Sequence, residues 1–529
     1  MSPESQDENS AAAGTLGQSI TDAVSSVTDA VTNKLSLGND QQQSTGIPSQ
    51  SLEGTTEHKV AESVGMAGMT AHDMAGSDAM THMLHNEGSE HEQECMLFPT
   101  YGVPTMIDDQ PHWKISISGW LYADPPQSRL ESVLMAAVRR VAHVTSDSEE
   151  DKRLRERSNM FFTTTVRNMQ AAVRTVGFVP AQGQAYKAEG PEFGQELITD
   201  FESEVQVNSG ETGCFESQIT LQADHVHAQP DKVFKLQTIY DHLTVPSYGV
   251  VDLIPEKGVS IISDIDDTIK ITNIPDGKEV IMEYTFLKDT EQVDGMAELY
   301  QKWASLGGHV HYVSNGPWQL FPMLENFFAK YNFPPGSAHL RFIDRSDVLS
   351  TIRGKPGAHK LEAIPKIMKD FPNRKFILIG DTGELDPEVY QKIYQQFPDQ
   401  VVKVLIHDVT SERAFKADQE AEARKAEASK PGKKAYLTSL REAIGLHATV
   451  TGQASIASSA VDAVTTTEQP DEQAMSTDPN VPVPTKVELF EKRIVQVSEG
   501  MRPGVFRLYK DPKEIFDDEV VATAFKENQ

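Results

Sequence analysis

The stretch VSIISDIDDT, residues 259–268, decides how the second half of the chain folds. Its first four residues, VSII, are mostly apolar and predict a buried strand, after which Asp264, Asp266 and Asp267 follow within a few positions. Carboxylates this close together repel one another, so we expect a cation among them. A calcium-binding loop is excluded, because such a loop needs glycine at its sixth position, where Ile269 stands. A solvated acidic turn remains the alternative for this motif taken alone.

Strands and helices alternate along the chain after this stretch. The further segments with strand or helix patterns are strands 309–313, 375–379 and 401–406 and helices 296–306 and 359–371. Such alternation is typical of a parallel sheet covered by helices on both faces. Ligands of these sheets bind at the carboxyl ends of the strands, so the polar residues after each strand should form one site.

Polar side chains do follow the predicted strands. They are Ser314 and Asn315 after the second strand, Lys355 and Lys360 at the start of a helix, and Asp381 and Asp386 after the third strand. Hydroxyl and amide groups can donate to a phosphate oxygen, and a lysine at a helix N-terminus can hold a phosphate. Taken singly, each has an ordinary explanation, such as a proline-containing turn or an exposed lysine. The complete set, in this order, is much more specific.

The order Asp-x-Asp-x-Thr, Ser, Lys, Gly-Asp-x-x-x-x-Asp resembles that of haloacid-dehalogenase-like phosphohydrolases. Over about 96–410 the chain is similar to the fungal actin-patch phosphatidate phosphatase family. The segments that carry this similarity are SDIDDTIK (263–270), YVSNGPWQLFP (312–322), GKPGAHK (354–360), LIGDTGELDPEVY (378–390), FPTYG (98–102) and GW (119–120). Two positions depart from the family pattern: Gly316 replaces a serine, and His407 replaces an arginine.

The resemblance implies a phosphatase that works through an aspartyl phosphate. Asp264 would be the nucleophile, and Asp266 would protonate the leaving alcohol and then activate water. Ser314 and Lys360 would steady the oxygens of the transferred group, since these carry the transition-state charge. Lys360 is preferred to Lys355 because it directly starts the helix that precedes the third strand.

The resemblance also implies a Mg²⁺ ion and further substrate contacts. The metal ligands would be Asp264, the main-chain carbonyl of Asp266, Asp381 and Asp386, since hard oxygen ligands suit Mg²⁺. The remaining residues on the substrate side would be Thr268, which orients the first loop, together with Asn315 and Lys355. The substrate would be phosphatidate, hydrolysed to diacylglycerol and phosphate.

Composition divides the chain into segments. Residues 1–94 contain no Phe, Tyr or Trp and carry a formal charge of −13, so we expect a disordered acidic tail. Within it, apolar residues at helical spacing over 20–35 indicate a transient helix, or alternatively a weak membrane-surface or partner helix. The other expected segments are a β-rich domain over 95–255, with a sandwich as one arrangement, a phosphatase domain over 256–410, a charged helical linker over 411–447, disorder over 448–485 and a docking segment over 486–529.

The phosphatase domain should be a Rossmann-like, haloacid-dehalogenase-type α/β domain with little or no cap. The intervals from Thr268 to Ser314 and from Ser314 to Lys360 are too short to hold a large cap besides the core elements. The open site would suit a bulky substrate. A run of basic residues over 339–360 would face anionic lipid, with a solvated basic loop as the alternative.

The overall charge and the cysteine content limit the setting. The formal net charge of −30 argues against nucleic-acid binding, and two cysteines fit a reducing compartment. We expect a cytoplasmic protein, peripheral at membranes or cortical actin patches, whose tails bind endocytic or actin-patch proteins. Three functions compete: a lipid phosphatase, a protein phosphatase with an open site, and an adaptor with an incidental phosphatase core. The intact set of catalytic residues disfavours an inactive enzyme.

Overall fold

The structure, a computed structural model, describes residues 93–123, 135–136, 139, 143–180, 203–224, 226, 232–243, 245–343, 357–428 and 483–528. The predictions for nearly all of the acidic tail, for helix 20–35, for most of 448–485 and for Lys355 lie outside these residues. The described residues form two compact units, one within Met1–His407 and Pro503–Gln529 and the other within Asp408–Arg502.

The first part of the larger unit forms a nine-stranded sheet. Its strands are β1 (Gln93–Leu97), β2 (Thr100–Ile107), β3 (Gln110–Ala123), β4 (Thr164–Thr165), β5 (Gln170–Pro180), β6 (Glu204–Asn208), β7 (Cys214–Gln222), β8 (Lys232–Ile239) and β9 (Ser247–Leu253). The order is β1-β3-β2-β9-β8-β5-β6, and β4 and β7 also pair with β3. All described pairs are antiparallel except β2 with β9. Helix α1 (Glu149–Phe162) lies between β3 and β4 in the chain.

The strand pattern of the sequence explains β3. Trp113, Ile115 and Ile117 are buried, whereas Lys114 and the other alternate residues point to the more exposed face. One apolar face of this kind is what an antiparallel sheet packs against its core. The described residues of 95–255 are therefore rich in β-strands, as expected. A sandwich arrangement stays a prediction.

The second part of the larger unit is a six-stranded parallel sheet. Its strands are β10 (Val259–Ser263), β11 (His309–Pro317), β12 (Gly336–Arg341), β13 (Lys375–Asp381), β14 (Val401–His407) and β15 (Phe506–Tyr509). The order is β12-β11-β10-β13-β14-β15, and every pair is parallel. The α/β class and the four strands expected from the sequence are confirmed, and β12 and β15 are additions to them.

Helices connect and flank the parallel strands. They are α2 (Lys278–Met282), which continues as a π-helical turn over Glu283–Leu287, α3 (Met296–Ser305), α4 (Phe321–Tyr331), α5 (Ala358–Asp370), α6 (Asp386–Gln396) and, after two helices of the smaller unit, α9 (Glu519–Glu527). The two helices expected over 296–306 and 359–371 are α3 and α5. Among the described residues, no helix combines the length and the apolar character needed to cross a membrane.

The smaller unit contains α7 (Ser411–Ala428) and α8 (Lys486–Ser498). Asp418 of α7 accepts hydrogen bonds from the main-chain N–H groups of Lys486 and Val487, at 2.8 and 2.9 Å. Thr485 and Glu488 form a capping box at the same helix end. These contacts satisfy N–H groups that have no partner inside the helix.

The two sheets of the larger unit share a hydrophobic core. The ring of Phe98 stacks on that of Trp318, with 3.7 Å between the ring centroids and 4° between the planes. The main-chain N–H of Ala338 donates to Pro99 O at 3.1 Å. Since Trp318 lies four residues after Ser314, the first sheet supports the segment that carries one predicted site residue.

Candidate active site

The expected site residues meet at the carboxyl edge of the parallel sheet. Asp264 and Asp266 follow β10, Ser314 and Asn315 lie near the end of β11, Lys360 lies in the first turn of α5, Asp381 ends β13, and Asp386 starts α6. The sheet topology therefore places four separate chain segments around one point, as the strand-end rule predicts.

Asp264 lies at the centre of the site and is fully buried. Its Oδ1 accepts a hydrogen bond from Lys360 Nζ at 2.7 Å, and its Oδ2 accepts one from the Thr268 hydroxyl at 3.1 Å. Its main-chain N–H donates to Ile379 O, which fixes the loop to β13. Burial raises the pKa of Asp264 well above its usual value, and Lys360 opposes this shift.

Lys360 is the one cation among the carboxylates of this cluster in the described residues. Its ammonium donates to Asp264 Oδ1 at 2.7 Å, to Glu384 Oε2 at 2.9 Å and to Asp386 Oδ1 at 2.5 Å. Burial alone would lower the pKa of Lys360, but the charges of these carboxylates hold it well above its usual value. All three donors of the ammonium are therefore in use.

Asp381 has one satisfied and one unsatisfied carboxylate oxygen. Its Oδ1 accepts hydrogen bonds from the main-chain N–H groups of Gly383 and Glu384, at 2.5 and 3.2 Å. Its Oδ2 is buried and has no hydrogen-bond partner among the described residues. Burial, followed by the charges of Asp386 and Asp264, raises the pKa of Asp381 well above its usual value. A buried carboxylate oxygen without a partner needs a proton or a cation.

Four carboxylates are close enough to bind a cation together. Asp264, Asp381, Glu384 and Asp386 each bring one oxygen into a group whose atoms all lie within 4.8 Å of one another. Gly380 makes this possible, because a Cβ there would lie 2.2 Å from Asp386 Oδ2. An all-oxygen donor set of this kind fits a hard divalent cation.

Asp266 has different partners from Asp264. Its Oδ1 accepts hydrogen bonds from Lys270 Nζ at 3.0 Å and from the Thr272 hydroxyl at 2.6 Å. Its Oδ2 accepts a long one from the Ser314 hydroxyl at 3.5 Å. Burial alone would raise the pKa of Asp266, but the Lys270 charge and these hydrogen bonds lower it below its usual value.

Asp267, the third acidic residue of the first motif, is stabilised by the backbone. Its carboxylate accepts hydrogen bonds from the main-chain N–H groups of Thr272, Asn273 and Ile274, at 2.8, 2.6 and 2.6 Å. The residue has a φ of 55°, in the left-handed region that aspartate tolerates. Asp267, which was not among the predicted metal ligands, is therefore stabilised by main-chain amides.

The second motif lies between the two groups of carboxylates. Ser314 Oγ accepts a hydrogen bond from the Gly316 main-chain N–H at 2.9 Å. A Cβ at position 316 would lie 3.2 Å from that same Oγ, a tight contact that glycine avoids. Asn315 Nδ2 donates to the carboxylate of Glu384, at 3.2 and 3.4 Å.

Two other positions have supporting contacts. Thr268 is fully buried against Asp264, which suits the orientation of the first loop. His407, the second departure from the family pattern, donates from Nδ1 to the main-chain oxygen of Asp267 at 2.7 Å. Its ring stacks on Tyr509 of β15, with 5.3 Å between the centroids.

Three site residues were not predicted from the sequence. Glu384 contacts Lys360 and Asn315, and Lys270 and Thr272 contact Asp266. Each lies within or next to a recognised motif, and this closeness was the sequence signal that could have identified it. The neighbouring strands determine which side chain of a loop points inward, so no local pattern in the sequence predicts that direction.

The basic run over 339–360 needs one correction. Lys360 does not belong to a basic surface, because it is 1% exposed and bound to three carboxylates. Arg341 ends β12 and is half-buried, whereas Arg345 and Arg353 lie outside the described residues. The lipid-facing role of this run stays a prediction.

The fold and the site define an α/β protein with a lysine and a group of carboxylates at the carboxyl ends of a parallel sheet. Residues 259–408 match the family model described as "Phosphatidate phosphatase APP1, catalytic domain". This matched region contains the site residues described above.

Two curated proteins illustrate the similarity. An uncharacterized protein of Schizosaccharomyces pombe is 34% identical over 181 residues, which cover 34% of this chain and 30% of that protein. Phosphatidate phosphatase APP1 of Saccharomyces cerevisiae is 37% identical over 152 residues, which cover 28% of this chain and 26% of that protein. The matched region thus spans under a third of either relative.

A solved structure of a family 123 glycoside hydrolase from Clostridium perfringens aligns with a TM-score of 0.12 and 6% identity, over 60% of this chain and 64% of that chain. A likeness this low has no bearing on the fold.

Proposed function

We propose that this chain is a Mg²⁺-dependent phosphatidate phosphatase that hydrolyses phosphatidate to diacylglycerol and phosphate. The observation that carries the proposal is the contact between Asp264 and Lys360 at the carboxyl edge of the sheet, inside the region that matches the phosphatidate phosphatase domain. A buried carboxylate held by a lysine, with Asp381 and Asp386 beside it, is the arrangement that the haloacid-dehalogenase-like mechanism requires.

Asp264 is the nucleophile of the proposed reaction. Its carboxylate attacks phosphorus and forms an aspartyl phosphate, while the diacylglycerol oxygen leaves. Its two hydrogen-bond donors, Lys360 and Thr268, fix the orientation of the carboxylate before the substrate arrives. Lys360 and Ser314 then stabilise the negative charge on the transferred oxygens.

Asp266 serves as acid and then as base. In the first half of the reaction it protonates the leaving oxygen, and in the second it takes a proton from the water that hydrolyses the aspartyl phosphate. The Lys270 contact lowers the pKa of Asp266 and so favours its ionised form, which acts as the base. An arriving dianionic phosphate raises this pKa again, because like charges oppose ionisation, and so favours the acid.

The carboxylates fit a Mg²⁺ ion. The donor set is all oxygen, and Asp381 Oδ2 is buried without a partner among the described residues. Asp264, Asp381 and Asp386, with the Asp266 carbonyl, would hold the ion. When bound, it would reduce the repulsion between the anionic nucleophile and the anionic phosphate.

The setting of the activity is part of the proposal. The similarity to the fungal actin-patch family supports a cytoplasmic enzyme that acts peripherally on phosphatidate-containing membranes, near cortical actin patches and sites of endocytosis. The tails would bind endocytic or actin-patch proteins. The acidic net charge of −30 supports the expectation of no nucleic-acid partner.

The test compares phosphate release from phosphatidate vesicles and from soluble phosphopeptides. We expect the full-length chain to hydrolyse vesicle phosphatidate in the presence of Mg²⁺, to lose this activity in chelator and to regain it when Mg²⁺ is added back. Asp264→Asn should retain the fold, checked by circular dichroism, and reduce phosphate release by at least about 10³-fold, since removing a nucleophile has effects of this size.

Three outcomes would contradict the proposal in whole or in part. Faster turnover of phosphopeptides than of phosphatidate would favour a protein phosphatase. A folded Asp264→Asn chain with near-normal activity would remove the nucleophile assignment, and inactivity on every substrate would favour an adaptor.

A further inference from the structure

Glu384 occupies an unusual position in the site. Its carboxylate accepts hydrogen bonds from Lys360 Nζ at 2.9 Å and from Asn315 Nδ2 at 3.2 Å. In the proposed reaction Lys360 contacts the substrate's phosphate, and Asn315 was predicted as a substrate-binding residue. Both groups that should receive the phosphate are therefore engaged by one side-chain carboxylate.

An incoming phosphate oxygen needs an N–H donor, but every N–H group of the Lys360 ammonium already has an acceptor. The ammonium has three hydrogens, and Asp264, Glu384 and Asp386 accept from them. One carboxylate must give way when a phosphate binds.

Burial decides which carboxylate moves. The side chains of Asp264 and Asp386 are 0% and 1% exposed, whereas that of Glu384 is 18% exposed. Glu384 also has the longer side chain, and the next residue, Leu385, is 40% exposed, so this turn reaches solvent.

The backbone of Glu384 does not have to move. Its main-chain N–H and that of Gly383 donate to Asp381 Oδ1, which anchors the turn. Pro275 packs against Gly383, where a Cβ would lie 2.8 Å from the proline ring. Rotation of the Glu384 side chain alone is therefore enough to release Lys360 and Asn315.

We propose that Glu384 occupies the phosphate-binding position of the resting site and is displaced when the phosphate group binds. This inference rests on the proposed phosphatase function. Glu384 is one of four carboxylates clustered around a single ammonium, so acidic groups outnumber basic ones there. Displacement of Glu384 towards solvent moves one of these acidic groups away from the entering dianion.

The test measures equilibrium binding of inorganic phosphate to the full-length chain by calorimetry at saturating Mg²⁺. We expect Glu384→Gln to bind phosphate at least about fivefold more tightly than the native chain, because removing one like charge at ~4 Å has this effect even in water. Glu384→Ala should bind phosphate more tightly as well, since it lacks the competing group. Glu362→Gln, on the exposed side of α5, is the matched control and should leave phosphate affinity unchanged.

A second titration, of Mg²⁺ without phosphate, separates this role from metal binding. We expect the Mg²⁺ affinity of Glu384→Gln to fall by no more than about fivefold, because the removed charge also acts on the cation through space at ~4 Å. Unchanged or weaker phosphate binding in both variants, or Mg²⁺ affinity reduced about tenfold, as for loss of a metal-site group, would overturn the inference.

The two proposals can fail separately, since phosphate binding is measured without turnover. A chain that does not hydrolyse phosphatidate but binds phosphate more tightly as Glu384→Gln would contradict the proposed function alone. A chain that hydrolyses phosphatidate and shows no such gain would contradict only the role of Glu384.

Discussion

At the scale of single residues, neighbouring carboxylates of one short motif have separate roles. Asp264 contacts Lys360, Asp266 contacts Lys270, and Asp267 accepts three main-chain N–H groups. Both lysines lower the pKa of the aspartate they contact, but burial outweighs Lys360 and raises the pKa of Asp264, whereas Lys270 and its neighbours outweigh burial and lower the pKa of Asp266. A raised pKa disfavours an ionised nucleophile, so in the proposed reaction a Mg²⁺ ion beside Asp264 would favour its charged form.

Asp267→Asn should destabilise the chain. The amide nitrogen cannot accept, so at least one of the N–H groups of Thr272, Asn273 and Ile274 loses its partner. We expect the free energy of unfolding to fall by about 1–3 kcal/mol, measured by urea denaturation. Asparagine tolerates the left-handed φ, so backbone strain should not contribute to the measured loss of stability.

Asp108→Asn is the control for this change. Asp108 also has a left-handed φ, of 50°, but lies exposed in the turn between β2 and β3. We expect a change within about 0.5 kcal/mol. Equal losses for the two variants would show that the hydrogen bonds of Asp267 contribute nothing particular.

At the scale of secondary-structure elements, the segment with β15 and α9 is attached by a buried ion pair. Lys403 of β14 contacts Asp518 at 2.7 Å, and both side chains are under 5% exposed. Asp518 also caps α9 through the N–H groups of Val520 and Val521. One carboxylate thus joins the sheet to the helix that follows its last strand.

Asp518→Ala should lower the free energy of unfolding much more than the neighbouring substitution Asp517→Ala. It leaves the buried Lys403 ammonium without its carboxylate partner, with only the Gly504 main-chain oxygen at 2.8 Å as acceptor among the described residues, and we expect a loss of about 3–5 kcal/mol in the free energy of unfolding. Asp517→Ala removes an exposed ion pair with Lys302 and should cost about 0–1 kcal/mol. Similar losses for both variants, in the same urea titration, would argue against the buried pair as the attachment.

At the scale of the whole larger unit, the nine-stranded sheet supports the catalytic sheet. The stack of Phe98 on Trp318 joins β1 and β2 to the segment just after Ser314. Tyr101 of β2 donates to Asp370 at the end of α5, the helix that starts near Lys360. The first sheet therefore contacts two of the segments that carry catalytic side chains.

Phe98→Ala should reduce both stability and turnover. We expect a loss of about 3–5 kcal/mol in the free energy of unfolding, as for other buried phenylalanines. We also expect a lower kcat under conditions in which the variant is folded, because Trp318 and with it Ser314 lose their support. Phe234→Ala, a buried change within the nine-stranded sheet, should cost similar stability with unchanged kcat. Equal kcat for both variants would contradict the positioning role.

Much of this organisation could be predicted because it depends on local patterns. Strands β10, β11, β13 and β14 are short apolar runs, and the polar residues after them identify the edge of the site. Strand β15 escaped prediction because it has four residues and pairs with a strand about 100 positions earlier. Glu384 escaped because its inward contact is set by Lys360 and Asn315, which are remote in the sequence.

The late position of β15 has a consequence for biosynthesis. Tyr509 of β15 stacks on His407, which donates to the main chain of Asp267. At the usual rate of translation, the ribosome needs about 5–20 s to progress from β14 to β15. Throughout that interval the nascent chain presents β14 as an unpaired strand edge, a surface on which chaperones and misassembly compete. The first-motif loop therefore gains its final support late in translation, well after its own residues have been made.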